Sequence, residues 1–223
     1  MKLLDWIDEN KLDWNGLSEN PNAINLLKEN PEKINWQFLS LNPNAIDLLD
    51  KNKYKIDWNY LCINPKASSI LNKNLDKINW NLLSRNTGTI DILIENPEKI
   101  NWFHLSSNSN AIKLIKKYKL KINWNFLSGN SNAMDLLEKY PIYIDWNFLS
   151  INPNAIKLLK KNKNKINWYN LSSNPNAINI LKKNPDKIDW SQLSSNPNAI
   201  ELLKENPEKI NWFNFSKNPS IFI

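Results

Sequence analysis

Ten tryptophans recur along the chain every 22 residues without one slip: Trp14, Trp36, Trp58, Trp80, Trp102, Trp124, Trp146, Trp168, Trp190 and Trp212. A fixed period of this length describes a stack of small units, none of which can bury its apolar face alone. The unit reads Ile-(Asn/Asp)-Trp-x-x-Leu-Ser-x-Asn-Pro-Asn-Ala-Ile-x-Leu-Leu-Lys-x-Asn-Pro-x-Lys, with a clean copy from Ile188 to Lys209. Nine full units run from Leu12 to Lys209, and a partial tenth occupies Ile210 to Ile223. Residues 1–11 break the pattern and read as an N-terminal cap, with Leu3, Leu4, Trp6 and Ile7 available to cover the first unit. With no linker and no insertion, residues 1–223 form one repeat domain.

The punctuation inside a unit is helical. Asn or Asp precedes every repeated Trp, and free exchange of the two suits a helix N-cap, which needs an oxygen acceptor. Ile34 before that cap and Leu39 after it make a hydrophobic staple, so a short helix starts at Trp. A second column, Asn20, Asn42, Asn64 and so on to Asn218, holds Asn in all ten copies and is followed by Pro in seven. Asn then Pro predicts a capped helix with proline in its first turn. Ala199, Ile200, Leu202 and Leu203 then share one face, and Asn206-Pro207 ends the segment. The expected unit is two short helices, of about 5 and 9 residues.

Such helices survive only when stacked. The predicted class is therefore all-α, an α-solenoid of about ten two-helix repeats, drawn out as a curved rod roughly 90 Å long at ~8–10 Å between helix axes. A leucine-rich-repeat horseshoe is the alternative, because its period overlaps and Ile-x-x-x-x-Leu-x-x-Asn matches part of its consensus. All eight alanines fall in one column, where a small side chain lets helices approach. Ser, replaced once by Cys62, fills another small column. The tryptophans, repeated inside a staple, are expected in the core.

The run from Trp146 to Leu159, Trp-x-x-Leu-Ser-x-Asn-Pro-Asn-Ala-Ile-x-Leu-Leu, resembles tandem repeats in uncharacterised proteins of giant (nucleocytoplasmic large) DNA viruses. The resemblance covers Leu12 to Ile223. It implies a viral origin, in keeping with the A/T-rich residue usage of 42 Asn, 28 Lys and 27 Ile with no Val. It carries over no activity and no catalytic residue.

Chemistry has little to work with. One cysteine excludes an internal disulfide or a cysteine metal cage, and one histidine excludes a His cluster. His104 sits in a column that tolerates any residue, and Cys62 replaces a packed Ser. Carboxylates are scattered, and three glycines make no phosphate loop. No enzyme activity, metal, cofactor or small-molecule substrate is expected. No apolar run approaches the ~18 residues of a membrane span, and the early acids do not suit a secretory signal. An intracellular protein is expected, in a host cytoplasm or a virion.

Function should lie in columns that vary on a constant scaffold. The two residues after each Trp mix aromatics with Asn, as adaptable binding faces do, and Phe38, Tyr60, Phe103, Phe126, Phe148 and Tyr169 are candidate partner-binding residues. Charge is uneven: residues 1–111 carry net −2 and residues 112–223 net +9. Lys116, Lys117, Lys160, Lys161, Lys182 and Lys183 recur near the end of the longer helix and are candidate anion-binding residues. The expected function is a non-enzymatic scaffold for a protein partner. Nucleic-acid binding through the basic half and a virion structural role are the alternatives.

Overall fold

The computed structural model describes residues 2–118 and 121–223. Nineteen short α-helices follow one another among the described residues, joined by turns and 3-10 segments. Extended pairing is confined there to an isolated antiparallel bridge between Leu3 and Phe222. This is the α-solenoid pattern; a leucine-rich horseshoe would need a strand in every repeat.

The first helix of each repeat begins at Trp, as its cap predicts. Asp13 accepts a hydrogen bond from the Gly16 N–H at 3.0 Å, and Asn35, Asp57, Asn79 and Asp145 act alike in their own repeats. The second helix is shorter than expected, four to six residues, as in Ile46–Lys51 and Ile178–Leu181. It starts at the residue after Ala, not at Asn-Pro. The column asparagine folds its oxygen back onto the N–H two residues ahead, 2.9 Å for Asn42 to Asn44, which tightens Pro-Asn-Ala into a turn. That turn is a 3-10 segment at Pro153–Ala155 and Pro175–Ala177. A further 3-10 segment, such as Pro207–Lys209, leads into the next repeat.

The repeats bury a leucine of the first helix, as at Leu39, Leu83, Leu127 and Leu171, and the alanine before the second helix, as at Ala45 and Ala133. The chain divides into two compact bodies: residues 1–56 with 168–223, and residues 57–167.

In the body formed by residues 57–167, consecutive repeats are joined by buried amides. The Asn86 Nδ2 donates to the carbonyls of Cys62 and Asn64, both at 2.8 Å. Asn108 does so to Ser84 and Asn86, Asn130 to Ser106 and Asn108, and Asn152 to Ser128 and Asn130. Each amide thus spends both N–H groups on the preceding repeat and its oxygen on its own turn. Aspartate would keep the acceptor and lose both donors, which explains why this column, unlike the one before Trp, is Asn alone. The second asparagine of Asn-Pro-Asn adds a bond: Asn154 Nδ2 reaches the Ser131 carbonyl at 2.8 Å. The Ser column also takes part. Ser128 Oγ donates to the Trp124 carbonyl and accepts from the Asp145 N–H.

The other body repeats these bonds and extends them across the chain termini. Asn42 Nδ2 donates to Ser18 and Asn20, and Asn218 to Ser194 and Asn196. Asn20, in the first repeat, donates to Ser216 and Asn218 of the last, both at 2.9 Å. The Asp13 N–H donates to Ser216 Oγ at 2.8 Å, and Asn22 reaches the Pro219 carbonyl. First and last repeats are therefore joined as neighbours are. Residues 1–11 do not simply cover the first repeat. Lys2 exchanges two backbone hydrogen bonds with Ile223, Leu4 N–H donates to Ile221, and the Trp6 ring meets Phe215 at 5.7 Å. The 3-10 segment Glu9–Lys11 occupies the place that Pro207–Lys209 takes before Trp212. The tenth repeat is thus assembled from both ends of the chain.

The tryptophans are half-buried, not core. Several of the indoles are covered by a side chain from the repeat that follows. Lys33 sits over Trp14 at 4.4 Å, Lys55 over Trp36 at 4.3 Å and Lys209 over Trp190 at 4.4 Å. Tyr143, which replaces this lysine in its repeat, stacks on Trp124 at 4.8 Å. Lys11 covers Trp212 at 5.4 Å, once more joining the two ends. The indole face favours a cation, and the lysine stem covers apolar surface while its ammonium stays wet.

Candidate binding surface

The residues just after each Trp stand on the short helix, whose buried Leu and Ser fix its roll. In residues 57–167 this places aromatic rings of successive repeats in one row. Phe103 meets Phe126 edge-on at 4.7 Å, Phe126 meets Phe148 at 5.2 Å, and His104 lies 5.5 Å from Phe103 and 5.8 Å from Phe126. Phe103 is half exposed, whereas Phe126 and Phe148 are partly buried by the row itself. Tyr60 is half-buried, its N–H capped by Asp57.

In the other body, Phe38 meets Phe213 at 6.1 Å, and Lys217 lies over both rings, 4.2 Å from Phe213 and 5.5 Å from Phe38. Phe38 belongs to the second repeat and Phe213 to the tenth; between them the first repeat carries Gly16 in place of a ring. A Cβ on Gly16 would stand 2.6 Å from the Phe213 carbonyl oxygen. Lys217 also pairs with Glu19 at 3.0 Å. Tyr169 is 55% exposed and its hydroxyl accepts from Gln192 Nε2 at 2.8 Å. Phe213 and Gln192 lie in the variable columns after Trp without being among the candidates, and Lys217 lies outside those columns. Their signal is cross-repeat proximity, which exists only after stacking.

The six candidate lysines are exposed at the ends of Ile112–Lys117, Ile156–Lys161 and just after Ile178–Leu181. Lys116 makes a loose pair with Asp135 at 3.7 Å, and Lys182 borders a shallow hollow of about 310 Å³ with Trp190, Glu205 and Lys209. Lys116, Lys117, Lys160 and Lys161 belong to one body, Lys182 and Lys183 to the other.

Burial, and then the Arg85 guanidinium, hold His104 below the ordinary imidazole range. The unfolded chain takes up a proton here below about pH 6.5, which the fold resists. The histidine therefore costs no stability above that pH, and stability falls as pH drops from 6.5 toward the lower folded value. His104→Phe, copying Phe126 and Phe148, should remove this acid sensitivity. Denaturant midpoints of the two proteins should diverge below pH 6 and run parallel above pH 7.

Cys62 is fully buried, and its Sγ accepts from the Asn79 N–H at 3.3 Å. Burial first, with Asp57 adding to it, pushes the thiol up despite that bond, so it stays protonated and unreactive at neutral pH. Cys62→Ser restores the oxygen acceptor of the other nine repeats. It should raise stability by about 0.5–1 kcal/mol, read as a higher urea midpoint at unchanged slope.

Among the described residues no group of three or more His, Cys, Asp or Glu is placed to hold a metal, and no helix is long and apolar enough to cross a membrane. Comparison with known proteins finds no matching family model, no similar curated protein and no similar solved structure. The geometry defines a helical-repeat protein with a constant frame and a variable aromatic and lysine surface.

Proposed function

We propose that this chain is a non-enzymatic repeat scaffold that binds a protein partner through the aromatic and asparagine columns following each Trp. The observation that supports the reading is the Phe103–His104–Phe126–Phe148 row. Its rings vary from repeat to repeat, while the Asn, Ser and Leu columns beneath them do not. Rigid aromatics on a fixed backbone lose little conformational freedom on binding, which suits them as anchors. Capture of partners from the native cell, with and without nuclease, is the test. Changing Phe103, Phe126 and Phe148 to Ala together should lower capture at least tenfold with circular dichroism retained, and reversing the six lysines to Glu should leave it unchanged.

Nucleic-acid binding is the second reading, favoured by the exposure of all six lysines. It expects the opposite pattern: loss on charge reversal, sensitivity to nuclease, and affinity that falls steeply with salt as counterions are released. Capture unaffected by either set of changes would defeat both assignments.

A further inference from the structure

We propose that residues 2–11 are an exchangeable clasp, which can complete the tenth repeat of a second copy of this chain as well as its own. The repeat frame provides the receptor. The C-terminal segment offers the backbone of Ile221 and Ile223, the Phe215 ring and the face of Trp212, and the clasp supplies Lys2, Leu4, Trp6 and Lys11 to them. These contacts join opposite ends of the sequence, and every copy carries the same two surfaces. Exchange between copies therefore recreates each contact without a new interface.

The clasp is also more lightly anchored than the corresponding half of a complete repeat. Only Ile7 among residues 2–11 is buried; Lys2, Asp5, Asp8, Glu9, Asn10 and Lys11 are exposed. The corresponding half of a complete repeat is anchored by fully or nearly fully buried Leu203 and Ala199. Segments with few buried apolar contacts open at a free energy below that of global unfolding. Once open, the clasp chooses between its own C-terminal segment and a neighbour's according to concentration.

The Leu3–Phe222 pair provides the assay. Lys2 and Ile223 exchange both backbone bonds, so Leu3 and Phe222 face each other at the adjacent non-hydrogen-bonded site, where side chains approach closely enough for a disulfide. Two full-length chains are made, both with Cys62→Ser, one carrying Leu3→Cys and the other Phe222→Cys. Each is checked by circular dichroism, mixed with the other at rising concentration, warmed to just below the unfolding transition, cooled and oxidised. The expected product is a mixed dimer linked from position 3 to position 222, at least tenfold over either like-with-like dimer and increasing with concentration. Mixed and like dimers in statistical proportion, or no crosslink up to millimolar chain, would overturn the proposal. The unsubstituted protein gives an independent readout by light scattering after the same warming. A dimer that forms on concentration and reverts on dilution and rewarming supports exchange, and monomer throughout refutes it.

Discussion

Asn152→Ala should destabilise the protein by about 2–4 kcal/mol, beyond the loss of an ordinary helix cap. The side chain is fully buried and makes three bonds to backbone: two donated to Ser128 and Asn130, one accepted from Asn154. Truncation strips the Ser128 carbonyl of its donor, whereas the Asn130 carbonyl keeps a second bond, from the Ala133 N–H at 3.1 Å. A buried carbonyl stripped of its partner costs about 1–3 kcal/mol, and the lost turn bond adds about 1. Asn152→Asp should be at least as damaging, because it turns a carboxylate toward two carbonyl oxygens. The contrast with Asp145, one column earlier in the unit, is the control. There the side chain accepts only from the Phe148 N–H, so Asp145→Asn should be nearly neutral. Urea midpoints of the three variants at neutral pH measure the difference; an Asn152→Ala cost near 1 kcal/mol would show that the amide donors contribute nothing net.

Gly16→Phe, which gives the first repeat the residue of the second, should cost about 1–3 kcal/mol, the range for overpacking. At Gly16 the first and last repeats approach so closely that even a Cβ would meet the Phe213 carbonyl oxygen at 2.6 Å and the Ser216 Cβ at 2.8 Å. A ring there also competes with Phe38, which now reaches across to Phe213 beneath Lys217. Because strain is relieved by parting the two repeats, amides that bridge them should respond first. Hydrogen exchange should speed at the Asp13 N–H, bonded to Ser216, before it speeds at the Asn123 N–H, bonded to Ser106 in the other body. Uniform acceleration at both sites would mean that the substitution weakens the whole fold rather than the joint between its ends.

The period, the helix at Trp, the Asn/Asp caps and the leucine column were all legible in the sequence, because each follows from local backbone chemistry or spacing. What escaped it were the partners. An asparagine before proline reads as a cap, and it does close its own turn, but nothing in the linear pattern says that the amide nitrogen bonds the repeat before. Invariance held a clue: a cap column tolerates Asp, as the one before Trp does, and this one never does. Trp was misjudged as core because repetition does not distinguish a buried side chain from one covered by a neighbour's lysine. The lysine that precedes Ile in most repeats supplies the missing half of that pair, in the same period. Among candidate site residues, Phe103, Phe126 and Phe148 come together as a row, while Phe38 finds Phe213, a partner of distant sequence number.

The split tenth repeat bears on how the chain reaches its fold. Most contacts between repeats span 17 to 24 residues, as from Asn35 to Ser18 or Asn42 to Ser18, and can form progressively while the chain is being made. The bond from Asn20 to Asn218 spans 198. For a flexible chain, a ninefold longer loop costs about 2 kcal/mol more to close, and contacts of such separation slow folding. Assembly should therefore proceed as rapid local zippering followed by one late step. Tryptophan fluorescence and amide protection would report that step at different times, Trp212 and Asp13 changing after Trp102 and Asn123. Rejoining residue 223 to residue 1 and cutting the chain between the exposed Lys28 and Glu29 would make the late contact an early one. The fold would stay the same, and the slow phase would move to the new cut.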